Sequence, residues 1–189
     1  MRNLVYIYCF IFFLSSCSEY QKVLKSNDFN LKLEKAKTYY QEEDYNRAIP
    51  LLDELSTVLM GTNKSEEVSY YYAFCHYAIG DNLMASHLFK QYVKSFPKGK
   101  HNEECSFMLA KCYYNEAPIY SLDPSNTQKA IKELQIFIDR YPNSSRVSEC
   151  NLLLDELRSK LARKEFEIAK QYYITENYKS AIIAFNRVL

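Results

Sequence analysis

The sequence predicts an all-α fold of antiparallel helix pairs repeated about four times, and three observations carry that prediction. With 3 Gly and 5 Pro in 189 residues, the chain lacks the turn chemistry of a β-sandwich and the phosphate-cradling loops of a nucleotide fold, while 48% hydrophobic content excludes a disordered chain. Alanines recur in pairs twelve residues apart, Ala36 with Ala48, Ala73 with Ala85 and Ala169 with Ala181, and Ala110 with Ala130 forms a stretched fourth pair. Ala36, Ala73 and Ala110 are themselves spaced by 37 residues. Two helices joined by a tight turn approach closely only where each presents a small side chain, and this spacing puts both alanines of a pair at one crossing.

Taken in order, residues 1–16 read as a signal peptide: Arg2, an apolar run from Leu4 to Leu14, then a short polar exit. The run is too short for a mature span, which needs about 20 residues. Leu14-Ser15-Ser16-Cys17 resembles the lipobox of bacterial lipoproteins. That resemblance implies diacylglycerol and an N-acyl chain on Cys17, enough together for stable anchoring. The alternative is an ordinary secretory signal beside an incidental cysteine. Ser18, where an Asp would direct retention, is similar to the outer-membrane sorting pattern. Residues 17–28 are expected to be a lipidated linker and residues 29–189 the repeat domain.

The first helix of each pair is expected at Phe29 to Glu42, Ser65 to Ile79, His101 to Glu116 and Glu165 to Thr175. The second helices are expected at Asn46 to Met60, Asn82 to Phe96, Thr127 to Tyr141 and Tyr178 to Leu189. Leu52, Phe89, Leu134 and Phe185 each follow the second alanine by four residues and fill the flank of the crossing. Pro97 and Pro142 close their helices because proline cannot continue one. Asn143-Ser144-Ser145 supplies N-cap chemistry for an additional or lengthened helix from Ser145 to about Lys164, which accounts for the wider interval between Ala110 and Ala169. These offsets resemble the tetratricopeptide consensus, with small residues at the two crossings, tyrosine after the first, an aromatic or Leu after the second, and proline at the close. The fold expected is therefore a tetratricopeptide-repeat solenoid, C-terminally truncated within its fourth repeat at Leu189.

Further local features narrow the resemblance. Cys17 is followed by Ser18-Glu19-Tyr20-Gln21-Lys22-Val23-Leu24 and then by the first repeat; Ala117-Pro118-Ile119-Tyr120-Ser121-Leu122-Asp123 separates the third pair. That pair closes with Phe137-Ile138-Asp139-Arg140-Tyr141-Pro142, and a long helix containing Leu157-Arg158-Ser159-Lys160-Leu161-Ala162 is expected to lead into Tyr172-Tyr173 and Tyr178. The arrangement is similar to the BamD family, tetratricopeptide lipoproteins of the machine that folds β-barrel proteins into the outer membrane. The resemblance implies a lipid-anchored, periplasm-facing scaffold in the outer membrane. Its implied partners are a BamA-like barrel subunit, other assembly lipoproteins and unfolded outer-membrane proteins. The family usually carries five repeats, and its C-terminal repeats meet the barrel-forming subunit.

If the helices stack as in that family, the first helix of each pair lines a concave surface. The residue after each first alanine is Lys37, Phe74, Lys111 or Lys170, and four after it stands Tyr40, Tyr77, Tyr114 or Tyr173. Such a stripe can hold an extended peptide, with rings giving contact area at low entropic cost and lysines pairing with carboxylates. The same tyrosines can instead be interhelix packing with the hydroxyl in water, and the sequence leaves both readings open.

Lys plus Arg is 24 against 23 Asp plus Glu, a neutrality that gives no counterion-release drive toward nucleic acid. His76, His87 and His101 fall in different segments, with no HExxH, GxSxG or P-loop. No catalytic residue, metal or cofactor is therefore expected. Cys75 with Cys112 and Cys105 with Cys150 hold equivalent repeat positions, which favours buried thiols over convergent ligands or disulfides. Glu42-Glu43-Asp44 and Glu66-Glu67 read as solvated helix ends. The rival functions are a tetratricopeptide lipoprotein scaffold in another cell-envelope secretion or uptake complex, and an enzyme, a peptidoglycan hydrolase accessory with weak activity.

Overall fold

A computed structural model describes residues 19–188. The signal peptide, Cys17 and Leu189 lie outside the described residues. The contacts divide the chain into two compact units, one ending at Asp81 and the other beginning at Asn82. Among the described residues every regular element is a helix, and none is long and apolar enough to cross a membrane.

The first unit contains α1 (residues 19–24), α2 (Phe29–Gln41), α3 (Tyr45–Val58) and α4 (Ser65–Ala78). Within the segment expected to be linker, α1 lies against α2: Tyr20 meets the Tyr39 ring edge-on at 5.8 Å, and Glu19 pairs with Lys35 at 2.7 Å. Asp28 caps α2 by accepting from the backbone N–H of Asn30 and Leu31, and Asp44 caps α3 by accepting from that of Arg47. α3 packs on both α2 and α4. Its apolar stripe of Ala48, Leu51, Leu52 and Leu55 is fully buried. Pro50 lies inside α3, where it removes one backbone donor; burial of Ala48 before it and of Leu51, Leu52 and Leu55 after it offsets the loss and the helix continues. Polar groups tie these helices too. The almost fully buried Lys32 reaches Glu54 at 2.5 Å, and the Tyr72 hydroxyl donates to Asp53 at 2.8 Å, so burial and this bond push the phenol well above its ordinary range.

The second unit contains α5 (Asn82–Ser95), α6 (Asn102–Asn115), α7 (Ser125–Arg140), α8 (Val147–Ile174) and α9 (Tyr178–Phe185). α6 packs on α5 and α7, and α8 packs on α7 and α9. Asn102 joins three helix ends in this unit. Its amide nitrogen donates to the carbonyls of Phe96 and Val93 at 2.6 and 3.3 Å, and its oxygen accepts from the Tyr141 hydroxyl at 2.7 Å. The side chain is 5% exposed, so these bonds replace the water it has lost.

All eight repeat alanines are buried, as the small-residue spacing requires. Of the additional or lengthened helix expected from Ser145 to about Lys164, the structure has the lengthened form: it runs on through the segment expected at Glu165 to Thr175 as a single α8 of 28 residues, because no Gly or Pro interrupts the chain between Pro142 and Ile174. At the other end α9 stops at Phe185, short of the expected boundary. Arg187 and Val188 turn into tighter bonds to Ala184 and Phe185.

The tight turns share one device. After α2 the N–H of Glu43 bonds the Tyr40 carbonyl and that of Asp44 the Tyr39 carbonyl, with Glu43 at φ 59°. After α4 the same pair runs from Gly80 to Tyr77 and from Asp81 to His76, with Gly80 at φ 81°; after α8 it runs from Glu176 to Tyr173 and from Asn177 to Tyr172, with Glu176 at φ 60°. This is the left-handed helix cap that satisfies the last carbonyls and turns the chain into the next N-cap. After α6 the first bond forms, Ala117 to Tyr114, but Pro118 has no N–H for the second. The connection therefore opens into a longer loop, held to α8 by Lys164 donating to the Leu122 carbonyl at 2.5 Å and by Arg163 over the Tyr120 ring.

Candidate functional site

Each unit places one lysine and one tyrosine of the expected stripe at a seam between the first helices of successive repeats. In the first unit, Lys37 and Tyr40 stand on the same side of α2, one turn apart. The Lys37 ammonium reaches across to Glu67 of α4 at 2.9 Å and sits 3.3 Å from Glu34; the Glu67 bond, above all, raises its pKa. The Tyr40 ring meets Tyr71 of α4 edge-on at 5.0 Å and Tyr45 at 5.8 Å. Tyr71 continues into Tyr70 and then Phe74, whose ring lies 4.5 Å from that of Tyr70. Phe74 and Tyr77, the expected site residues of α4, are both half-buried.

The second unit repeats the placement with different chemistry. Lys111 on α6 pairs with Glu149 of α8 at 2.7 Å and lies over the Phe107 and Tyr114 rings at 5.8 and 6.0 Å. The Tyr114 hydroxyl donates to Glu156 of α8 at 2.6 Å, and Lys160, itself paired with Glu156 at 3.2 Å, lies over the same ring. That bond raises the phenol pKa and, with Lys160, holds the Glu156 carboxyl below its usual range. Further along α8, Lys170 and Tyr173 are exposed; Lys170 lies 3.9 Å from Glu167 and Tyr173 meets Tyr178 at 5.9 Å.

The structure thus joins Lys37 to Tyr40 and Lys111 to Tyr114, and adds partners that the sequence did not single out: Tyr71, Glu149 and Glu156. Glu67, read from sequence as a solvated helix-end charge, turns inward to Lys37. Tyr71 carried a visible signal in the run Tyr70-Tyr71-Tyr72. Glu149 and Glu156 carried none, because the stretched third repeat hides their register. Both lysine–carboxylate contacts are partly solvated, with Lys37 and Lys111 side chains 25% and 26% exposed. Such pairs contribute about 0–1 kcal/mol each.

His76 bonds Asp81 through Nδ1 at 3.1 Å and packs on Tyr72, while His101 lies 3.5 Å from Glu104. Cys75, Cys105, Cys112 and Cys150 are free and buried. Burial pushes the Cys75 and Cys112 thiols up to about 12 and Cys150 to about 11, which removes thiolate character at neutral pH. Among the described residues no group of His, Cys, Asp and Glu is arranged to hold a metal.

Comparison with known proteins follows the same lines. The family model of the YfiO outer membrane lipoproteins matches residues 27–189. Outer membrane protein assembly factor BamD of Caulobacter vibrioides is 24% identical over 99 residues, covering 52% of this chain and 32% of that protein. The protein of the same name from Pasteurella multocida is 21% identical over 182 residues, covering 91% of this chain and 70% of that protein. The chain thus spans about a third of the first relative's length. Identity is low in both, but the family match takes in every repeat alanine and both seams, and the chain belongs to the YfiO outer membrane lipoprotein family, the family of the BamD assembly factors.

Proposed function

We propose that this protein is a lipid-anchored scaffold in the outer membrane that docks partner subunits of the β-barrel assembly machinery and receives unfolded outer-membrane proteins, without performing chemistry. One observation carries the peptide-receiving role: a half-buried lysine, already facing a carboxylate, recurs beside a tyrosine at the same repeat position in both units. Each lysine presents a partly solvated charge one turn from a tyrosine ring, which suits an extended chain bearing an aromatic residue and a carboxylate. Lys37, Tyr40, Phe74 and Tyr77 form this surface in the first unit and Lys111 and Tyr114 in the second, with Lys170 and Tyr173 as the exposed continuation along α8. Cys17 is the lipid attachment site, and a BamA-like subunit and other assembly lipoproteins are the partners.

Site-specific photocrosslinking in living cells tests the reading. A crosslinker at Tyr77 or Tyr114 is expected to label nascent barrel proteins; labelling confined to other envelope components, or silence at both positions, sinks the receptor role. Cys17→Ala is expected to abolish incorporation of radiolabelled palmitate and release the protein from the membrane fraction.

A further inference from the structure

We propose that the cleft between α5 and α7, floored by α6, is a docking site for a short acidic and aliphatic segment of a partner protein. The cleft encloses about 510 Å³, within the range of specific ligand sites, roughly 300–1,000 Å³. α6 packs against both neighbours, so α5 and α7 straddle it and leave a trough above its surface. Lys90 and Lys94, one turn apart on α5, face Glu133, Ile136 and Arg140 on one stripe of α7, and Leu109 of α6 forms the floor.

Charge complementarity identifies the occupant. Lys90, Lys94 and Arg140 are exposed and form no ion pair or hydrogen bond with any described residue, whereas Lys37 and Lys111 at the seams are each engaged. A lone unpaired surface lysine is merely hydrated. Three cations around a shared apolar floor instead make a positive rim over Leu109 and Ile136, and only one carboxylate, Glu133, interrupts it. A segment with carboxylates on either side of an aliphatic side chain satisfies rim and floor together. Glu133 is a liability for a phosphate-rich polymer, but it can accept a backbone N–H from a peptide. The cleft lies apart from Lys111 and Tyr114, and its occupancy does not depend on what the seam receives.

Fluorescence titration of the full chain tests this with three probes. They are a labelled pentapeptide alternating aspartate with leucine, the matching asparagine and leucine peptide, and phosphatidylglycerol vesicles. The aspartate peptide is expected to bind saturably. Its affinity should fall roughly ten-fold or more in the double variant Lys94→Glu, Arg140→Glu and rise in Glu133→Gln; the double variant stays folded with a small fall in melting temperature, because Lys94 and Arg140 lie in the last turns of α5 and α7, where a carboxylate is disfavoured. Absence of saturable binding, equal binding of the asparagine peptide, or an unaltered affinity in the double variant overturns the proposal. Vesicle binding that needs Lys94 and Arg140, without peptide binding, assigns the cleft to lipid instead and also overturns it.

Discussion

The seam between α2 and α4 and the seam between α6 and α8 stand at the same repeat position and are held by different forces. The first runs ring against ring, from Tyr45 through Tyr40, Tyr71 and Tyr70 to Phe74, with one lysine–glutamate contact beside it. The second is a ladder of charges, Lys111 to Glu149 and Tyr114 to Glu156 to Lys160. What repeats along the chain is therefore a place on the helix rather than an interaction. Aromatic contacts keep their strength in salt, while partly solvated ion pairs are screened, so the two seams are expected to respond to different solvent conditions.

Three substitutions sharpen that contrast, and the largest effect lies just outside the second seam. Asn102→Ala leaves the Phe96 carbonyl and the Tyr141 hydroxyl without their partner and loosens α5, α6 and α7 at one point. A loss of about 2–3 kcal/mol is expected in chemical denaturation; a loss near zero means that water substitutes freely at the node. Next, Tyr40→Leu removes edge-on contacts with Tyr71 and Tyr45 and is expected to cost about 1–2 kcal/mol, equally at low and high salt. Its counterpart Tyr114→Phe is expected to cost about 0.5–1 kcal/mol. That difference depends on acid. Glu156 is held below its usual value of 4.5 by Tyr114 first and Lys160 second, so its stabilisation is present above the unfolded-state pKa and lost as pH falls through the lowered folded-state pKa. Melting curves from pH 6 down to pH 3 should show the wild-type advantage over Tyr114→Phe closing in that window; an advantage constant across it assigns the contact to packing alone.

Effects of similar size test the turns. Glu43 and Glu176 hold a left-handed backbone conformation that glycine adopts without steric cost, as Gly80 does in the equivalent turn. Glu43→Gly and Glu176→Gly are each expected to raise stability by about 0.5–1 kcal/mol, and Gly80→Ala to lower it by about 1 kcal/mol. A destabilised Glu43→Gly would show that unfolded-chain entropy outweighs the strain.

The buried alanines and the helix pairs they mark were legible because a close helix crossing requires a small side chain at a fixed distance along the chain. The position of the lysine–tyrosine stripe was legible for the same reason. The shared turn device was readable only at Gly80, since glutamate at Glu43 and Glu176 gives no hint of a positive φ. The seam partners Glu149 and Glu156 depend on how far the loop opened by Pro118 displaces α8, and one-dimensional spacing does not encode that. The uninterrupted α8 is the lengthened helix that the sequence left open, since no Gly or Pro lies between Pro142 and Ile174 to break it.

That unbroken helix has a mechanical consequence. At about 1.5 Å per residue, α8 extends roughly 40 Å as a single rod, with Glu149 near its start and Tyr173 near its finish. A hinge between them would have let the two ends reorient separately; without one, Glu149 and Tyr173 move as parts of one rigid shaft.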